Sequence, residues 1–479
     1  MAISSPGIGS GLDVKEIVSK LVALEQTPLT KLQTQATNFE TKLSAYGQLK
    51  SQLANLQTQA AKLAAPATWS VLSLRSGSTA ITGTANSTTA SVGSYSVQVT
   101  QLARAQSAGS SLLTATEAVG EGTLKIDIGT WSGTSFTSAG GSTLSVDVGA
   151  TDTLADVASK INAAGAGVTA TTLKDSSGKY SLMLQSSATG EAAAFRVQAF
   201  DATDTRITTE TGLARMAFDV EAGSFFGMDR SADQTALNAK IKVNGIEVSS
   251  ATNKFTDSIP GVTLNVTATT DAAAGISVVK DTATMKASLE AFVSSYNALS
   301  NALAEMTKYN AADKSAGTLQ GDSTAVGLLT AMKRMVGGLG PADSGFSRLS
   351  DVGIQMQLDG TLKIDADALN ESLANPDGLK SFFTAASSNT SAGGLGTRMN
   401  TFLQGLLDSD GTITSKTKSL QSTLTRNAKE QEKIQDRIER VEARLLAQYS
   451  RLDTTLSKLG ALNDYVAQQI TTWNKQGDN

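Results

Sequence analysis

The residue types in this chain exclude several kinds of chemistry. Its 479 residues contain no cysteine and no histidine, which rules out thiolate nucleophiles, disulfides, histidine-based triads and the usual zinc sites. Serine, threonine, aspartate and glutamate are plentiful, so composition still allows a carboxylate-pair hydrolase or a Ser-Lys enzyme. No motif points to either class. We predict no cofactor and no metal site, and the residue types alone leave these two enzyme classes open.

Two glycine-containing segments resemble ligand-binding motifs but fit other interpretations better. Gly7, Gly9 and Gly11 resemble part of a dinucleotide fingerprint, yet no strand precedes them and the third glycine is wrongly spaced. The loop 408–411, with sequence DSDG, resembles part of a calcium loop, but aligning its glycine places Leu406 at the first ligand position. We interpret the first segment as a flexible lead-in to a helix and the second as a turn.

The charge distribution indicates neither nucleic acid nor membrane as a partner. Residues 1–65 carry six basic and four acidic residues and residues 417–479 carry ten and eight, so each end is +2; the net charge of −4 leaves −8 between them. A nucleic-acid footprint would need a dense basic stripe with aromatic residues beside it. Apolar runs fall short of the roughly twenty residues that span a bilayer, and the N-terminus lacks the features of a Sec-type signal.

Apolar residues recur at helical spacing towards the C-terminus. From Leu420 onward they step by three or four positions, with Asn427 and Gln431 as polar interruptions. A single helix over 417–473 would be about 85 Å long, which is too long for one compact domain and suits a stalk. The mixed charges of 426–444 are typical of a solvated coiled-coil face.

The N-terminal pattern predicts two helices separated by a proline. Ser10, with Asp13 three residues later, fits a capping box for a first helix over about 12–26. A second helix would start at Pro28, since proline is favoured at the first helical position, and would run to about residue 63. We expect its apolar stripe over 29–63 to pack against part of the C-terminal helix, because helices gain most of their stability from a packed face.

Between these ends, residues from Trp69 to about Lys280 alternate apolar and polar side chains in the manner of half-buried strands. Residues 151–167 interrupt this texture with a helical period closed by glycines, which predicts one small helix. Further predicted strands lie at 94–99, 124–128, 144–148, 180–185 and 195–199.

Asn-Gly and Asp-Gly pairs mark two hairpins. Asn244 and Gly245 tolerate the positive φ angles of a type I′ turn, and we expect the segment 238–268 around them to pair with 94–99. The second hairpin is predicted at 353–365 around Asp359-Gly360. A helix is predicted from Thr282 before this hairpin, and short helices are predicted from the hairpin to residue 407.

These elements predict a multidomain α+β protein. Long terminal helices would form a coiled-coil leg, next to a helical-bundle leg domain, and two β-rich head domains would be inserted between the terminal halves. The predicted leg is 1–45 with 430–479, the helical leg domain 46–75 with 276–429, the first head domain 76–115 with 226–275, and the inserted second head domain 116–225.

The apolar residues at the two extremities are candidates for a partner interface. A monomer offers few partners near its chain ends, and each large apolar side chain left in water forgoes about 1.5–3 kcal/mol of burial. We predict contacts with other chains through Val14, Ile17, Val18, Leu21, Leu456, Leu459, Leu462, Val466 and Ile470.

Several segments together resemble the bacterial flagellar filament cap family, hook-associated protein 2. The first is GIGSGLDVKEIVSKLVALEQTPL at 7–29, which is similar to the opening of that family, and ALNDYVAQQI at 461–470 is similar to its end. Ile161-Asn162 resembles a pair found in flagellin-related repeats. The other similar segments are 94–106, 160–171, 243–266 and 352–369.

This resemblance implies a secreted, non-enzymatic protein that forms a ring, most often a pentamer, at the distal tip of the flagellum. The ring would retain exported flagellin and promote its folding and polymerisation. The implied partners are flagellin and other copies of the chain, with a secretion chaperone and host mucin as further candidates. One alternative is a hook–filament junction protein or flagellin. The other is a carbohydrate- or mucin-binding adhesin at the flagellar tip, or a glycosidase head on a stalk.

Overall fold

Contacts within the chain divide it into two units, one of which is built from both ends of the sequence. The computed structural model describes residues 13–141, 143–165, 167–229, 235–312, 314–386 and 393–476. The helical unit comprises Met1–Trp69 and Thr282–Asn479, and the β-rich unit comprises Ser70–Asp281. The predicted glycine lead-in and the Ser10 cap lie outside the described residues. The four-domain division stays a prediction.

The helices are α1 (Val14–Ala64), α2 (Leu154–Ala164), α3 (Thr282–Thr307), α4 (Ser323–Val336), α5 (Ala366–Ser372), α6 (Pro376–Thr384), α7 (Leu395–Leu407) and α8 (Thr412–Gln476). The strands of the β-rich unit are β1 (Leu72–Ser76), β2 (Ile81–Ala85), β3 (Gly93–Gln101), β4 (Ser107–Gly109), β5 (Gly122–Ser132), β6 (Ser135–Ser138), β7 (Leu144–Val148), β8 (Val168–Lys174), β9 (Tyr180–Ser186), β10 (Ala194–Phe200), β11 (Phe218–Glu221), β12 (Ser224–Gly227), β13 (Ala239–Val243), β14 (Ile246–Ser250), β15 (Lys254–Ile259), β16 (Val262–Val266) and β17 (Ala274–Lys280). Two short hairpins of the helical unit are β18 (Tyr309–Asn310) with β19 (Ser315–Ala316), and β20 (Ile354–Met356) with β21 (Leu362–Ile364).

The C-terminal half of α1 packs with α3 to α7 and the start of α8 around one apolar core. Trp69 follows α1 in a short 3₁₀ helix and is fully buried, with its ring stacked on Phe383 at 5.1 Å between centroids. Its indole N–H donates to the carbonyl of Leu63 at 2.8 Å, which satisfies its one polar group and fixes the end of α1. Both ends of the chain thus share this core.

Helix α1 is continuous, so the predicted break at Pro28 is wrong. Pro28 lies inside the helix, where proline removes one backbone hydrogen bond and is usually destabilising. Val22 before it and Leu29 after it belong to the same apolar cluster against α8, and this packing explains why the helix passes through. Its N-cap is Asp13, whose side chain accepts from the Glu16 N–H at 3.0 Å, so the helix begins slightly later than the predicted start near residue 12.

The β-rich unit contains the predicted strands and the small helix. A five-stranded sheet has the order β1-β17-β3-β13-β14, and a second sheet has the order β12-β11-β10-β5-β6, with β7 also paired to β5. Strands β15-β16-β2 and β4-β9-β8 form two further sheets. Two separate apolar cores lie within the unit. The predicted pairing of 238–268 with 94–99 is confirmed by the β13–β3 ladder.

Both predicted hairpins form, with different turns. Asn244 and Gly245 have φ of 48° and 86° and connect Val243 directly to Ile246, as a two-residue type I′ turn requires. In the second hairpin the Gln357 N–H donates to the Thr361 carbonyl at 2.8 Å, beyond the last ladder pair of Met356 and Leu362, so a three-residue loop over 358–360 replaces the two-residue turn.

Candidate functional site: the terminal helices

Helices α1 and α8 run antiparallel along each other. Near the core, Lys416 of α8 lies over the ring of Tyr46 of α1. Farther along, Arg437 of α8 forms an ion pair of 2.8 Å with Glu25 of α1. Residue numbers therefore rise in one helix as they fall in the other, and α8 extends beyond the described start of α1. The predicted packing between the terminal helices is confirmed for this part of the chain.

The apolar residues at the start of α1 are covered by the chain itself. Val14, Val18 and Val22 are buried in one cluster with Ile438 of α8. The expectation that the first helical turns lack partners within the chain is therefore wrong for Val14 and Val18, because α8 reaches them. Ile17 is half-buried and Leu21 is 36% exposed, so these two side chains still face solvent in part. Partly buried residues of the cluster are Leu29, Ile434, Leu445, Leu446 and Tyr449.

The end of α8 presents the opposite situation. Leu459, Leu462, Val466 and Ile470 are 45–58% exposed, and Leu456 is half-buried. Leu452, Tyr465 and Trp473 are exposed as well. An exposed run of large apolar residues along several helical turns is typical of an interaction surface.

This exposed run continues the seam that α1 covers. Ile438 and Leu445 contact the α1 cluster, and steps of seven residues from them lead to Leu452, Leu459 and Val466. A seven-residue apolar repeat is the pattern by which one helix packs along another. We use the name distal seam for Leu452, Leu456, Leu459, Val466, Ile470 and Trp473, which continue it.

A polar cluster holds the start of α8 against the core. Asp322 caps α4 by accepting from the Thr324 N–H at 3.0 Å, and Tyr46 donates its hydroxyl to the same carboxylate at 2.7 Å. Lys416 Nζ lies 3.1 Å from the other carboxylate oxygen. Burial disfavours the charged form of Asp322, but hydrogen bonds from Tyr46, Lys416 and the Ala325 N–H outweigh it and hold the pKa of Asp322 below its ordinary value. One carboxylate thus connects α1, α4 and α8.

A second polar contact lies on the α1-facing side of α8. Asn427 is buried, and Gln431 one turn later donates its side-chain N–H to the side-chain oxygen Oδ1 of Asn427 at 2.6 Å. These are the two polar interruptions of the sequence pattern. A polar pair inside an apolar seam favours one register of the helix pair over others.

Comparison with known proteins agrees with this architecture. Residues 10–106 match the flagellar hook-associated protein 2 N-terminus, and residues 236–461 match the flagellar hook-associated protein 2 C-terminus. The flagellar hook-associated protein 2 of Escherichia coli (strain K12) is 30% identical over 483 residues, which cover 98% of each chain. The chain belongs to the flagellar hook-associated protein 2 family. Residues 135–188 also match the flagellin hook IN motif.

Two further relatives support this assignment. The B-type flagellar hook-associated protein 2 of Pseudomonas aeruginosa is 30% identical over 94% of each chain. The crystal structure of the flagellar cap protein FliD D1-D2-D3 domains from Escherichia coli superposes with a TM-score of 0.56 at 27% identity, and covers 79% of this chain and 99% of that chain. The predicted family and the multidomain α+β fold are thereby confirmed.

The family consists of structural components of the flagellum and is not a known enzyme family. Across the part of the chain that the structure describes, no helix has both the length and the apolar character needed to cross a membrane.

Proposed function

We propose that this chain caps the distal end of the flagellar filament as a ring of identical subunits, with five as the expected number. In this role it is secreted, retains exported flagellin at the tip, and promotes the folding and polymerisation of flagellin into the filament. Membership of the flagellar hook-associated protein 2 family supports the capping role. The exposed apolar side chains of the distal seam support the proposal that the subunit contacts helices of neighbouring chains through this surface.

The distal seam offers a partner helix the same kind of contact that α1 makes farther up α8. Ile438 lies in the part of the same apolar repeat that α1 covers, and it is almost fully buried there. Val466 and Ile470 are about half exposed, so burying each recovers only part of the about 1.5–3 kcal/mol of a fully transferred side chain. Several such residues give a modest affinity, which suits a cap that must release and rebind as the filament grows.

Polar residues within the repeat also limit the affinity. Asn463 occupies the seam position between Leu459 and Val466, where a buried side-chain amide costs stability while restricting the register of the helix pair. A partner helix would therefore dock in a defined register without binding irreversibly.

The test replaces two seam residues and compares them with two exposed residues on another face. We expect Val466→Ser with Ile470→Ser to abolish filament growth in cells whose own cap gene is deleted, and to release flagellin monomers into the medium. Asp464→Ser with Gln468→Ser is the matched control, since both side chains are exposed, have the same four-residue spacing and lie on the opposite face of α8; filaments should form normally.

Secretion of the variants is measured by immunoblotting of the medium, and folding by circular dichroism of the purified proteins. Normal filaments with a secreted, folded Val466→Ser, Ile470→Ser variant would contradict the proposed role of the distal seam. Native mass spectrometry and electron microscopy of the full chain test the ring, and an open helical lattice in place of a closed ring would contradict it.

The alternatives of a mucin-binding adhesin and of a hook–filament junction protein stay predictions, as do a secretion chaperone and mucin as partners. Binding of the full chain to mucin-type glycans on an array would favour the adhesin, and the open lattice described above would favour the junction protein.

A further inference from the structure

The helical unit has a groove between α4 and α7 that the proposed function does not use. The groove has a volume of about 800 Å³ and is lined on one side by Ala331, Arg334 and Met335 of α4 and on the other by Thr397, Arg398, Thr401 and Phe402 of α7. Gly338, Leu339 and Gly393 complete its walls. We call it the α4–α7 groove.

Large apolar side chains that line the groove are exposed to solvent in whole or in part. Met335 and Phe402 are only half-buried while they pack against the core, and Leu339 is 61% exposed. Ala331 and Gly338 contribute little side chain, which leaves room between the two helices. A concave surface with exposed large apolar side chains favours binding of another apolar surface.

The charged residues among the described lining of the groove are both arginines. Arg334 is exposed on α4, and Arg398 is half-buried on α7 with one guanidinium nitrogen donating to the Leu339 carbonyl at 3.0 Å. Among the described residues that line the groove, none is acidic. Two positive charges beside an apolar surface attract a partner that carries carboxylates. The exposed guanidinium of Arg334 can pair with a carboxylate in two parallel hydrogen bonds.

The guanidinium of Arg398 is held in place by its surroundings. Its Nη1 atom would lie 3.6 Å from a Cβ atom built on Gly338, so the side chain lies directly against the backbone of that wall. Burial lowers the pKa of the Arg398 guanidinium from its ordinary value, which reflects the cost of holding a charge in this environment.

We propose that the α4–α7 groove binds an amphipathic α-helix of a partner polypeptide other than this chain, with apolar residues facing Leu339 and Phe402 and carboxylates facing Arg334 and Arg398. Helices dock in such grooves through apolar residues at positions i, i+3 or i+4, and i+7. The groove lies between two helices, and a third helix can pack its side chains into a groove of this kind. This site is separate from the distal seam and does not depend on the proposed capping role.

The test uses fluorescence anisotropy of labelled peptides with the full chain. The first probe is a designed 20-residue amphipathic helix with leucines on one face and glutamates beside them. The second replaces each glutamate with lysine, and the third is the chain's own segment 452–473. We expect the glutamate peptide to bind at least tenfold more tightly than the lysine peptide, with an affinity that falls as salt rises.

Variants locate the binding site. Arg334→Glu should weaken binding of the glutamate peptide at least tenfold. Arg75 is an exposed arginine on β1 of the other unit, and Arg75→Glu should leave this binding unchanged. Leu339→Ser should weaken binding several-fold, while Leu358→Ser, fully exposed in a hairpin loop of the same unit, should not. The Val466→Ser, Ile470→Ser variant should bind as well as the original chain, which distinguishes this groove from the distal seam.

Three results would overturn the proposal. One is equal affinity for the glutamate and lysine peptides, and another is unchanged binding by Arg334→Glu with normal circular dichroism. The third is a result in which the 452–473 peptide binds as tightly as the glutamate peptide and loses as much affinity in Arg334→Glu. The occupant of the groove would then be a second copy of this chain.

Discussion

Replacing Asp322 with alanine should destabilise the helical unit by about 3 kcal/mol, because one carboxylate makes contacts with three helices. Loss of the α4 N-cap costs about 1 kcal/mol. The buried Tyr46 hydroxyl loses its acceptor, and an unsatisfied buried donor costs about 1–3 kcal/mol. The ion pair with the partly exposed Lys416 adds less than about 1 kcal/mol.

Two comparisons separate these contributions. The variant Asp322→Asn keeps a side-chain acceptor for Tyr46 and an equally good cap, so it should lose only the charge interaction with Lys416, less than about 1 kcal/mol. Asp365→Ala removes an exposed carboxylate that caps α5 through the Asp367 and Ala368 N–H groups. This control should cost about 1 kcal/mol as well, since no buried partner is left behind.

The assay is urea unfolding followed by the fluorescence of Trp69, which lies in the core of the helical unit. Trp131 and Trp473 are replaced by phenylalanine in every protein so that the signal reports this unit alone. With an m value of about 3 kcal/mol/M, a loss of about 3 kcal/mol lowers the urea midpoint by about 1 M. If Asp322→Ala costs no more than Asp365→Ala, the carboxylate does not connect the helices as argued.

Three further measurements test the charge of Asp322 and two other contacts. The pKa of Asp322 is lower in the folded than in the unfolded chain, so its charge stabilises the fold at neutral pH and this stabilisation is lost as the pH falls. The loss of unfolding free energy caused by Asp322→Asn should therefore be constant from about pH 7 to 5 and shrink below about pH 4. A loss that stays constant down to about pH 3 would contradict this. Ile438→Ala should cost about 2 kcal/mol of local stability and speed amide exchange in 14–29 and 434–449 about 30-fold, whereas the exposed neighbour Glu439→Ala should leave exchange unchanged. Asn162→Ala should cost about 2 kcal/mol in thermal unfolding of the β-rich unit, because the Asn162 side chain makes two hydrogen bonds of 2.8 Å to the backbone of β8; an unchanged melting temperature would show that water replaces them.

Regular patterns in the sequence predicted most elements of the fold. The heptad-like stripe predicted a helix over 417–473, and α8 runs over Thr412–Gln476. Alternating residues at 144–148 coincide with β7. In both cases local propensity and the packed face agree, which is the condition under which sequence patterns are reliable.

The sequence failed where packing overrides a local signal. Pro28 normally ends or begins a helix, but apolar contacts with α8 on both sides keep α1 continuous. Helix α4 was not predicted, because its Ala, Gly and Thr residues give a weak periodic signal and its start depends on the Asp322 cap. The link from Asp322 to Tyr46 spans 276 residues, and no sequence pattern indicates such a contact.

The candidate interface shows the same limit. Helical spacing identified apolar faces at both extremities, but it could not show which face the chain covers by itself. Val18 is buried against α8, whereas Val466 is exposed in the distal seam, where the apolar repeat of α8 continues. The difference depends on how far α8 extends past the described start of α1, which is a property of the antiparallel register.

The pairing of β1 with β17 has a consequence for how the molecule folds. Leu72 and Lys280 are partners in that ladder, so the β-rich unit begins and ends at neighbouring strands. Once this unit has folded, the effective length of the loop that joins Tyr46 to Lys416 is less than half of its original value. Closing this shorter loop lowers the entropy cost of forming the helical unit by about 0.7 kcal/mol. A chain that emerges unfolded, N-terminus first, would thus gain by completing its middle before its two ends meet.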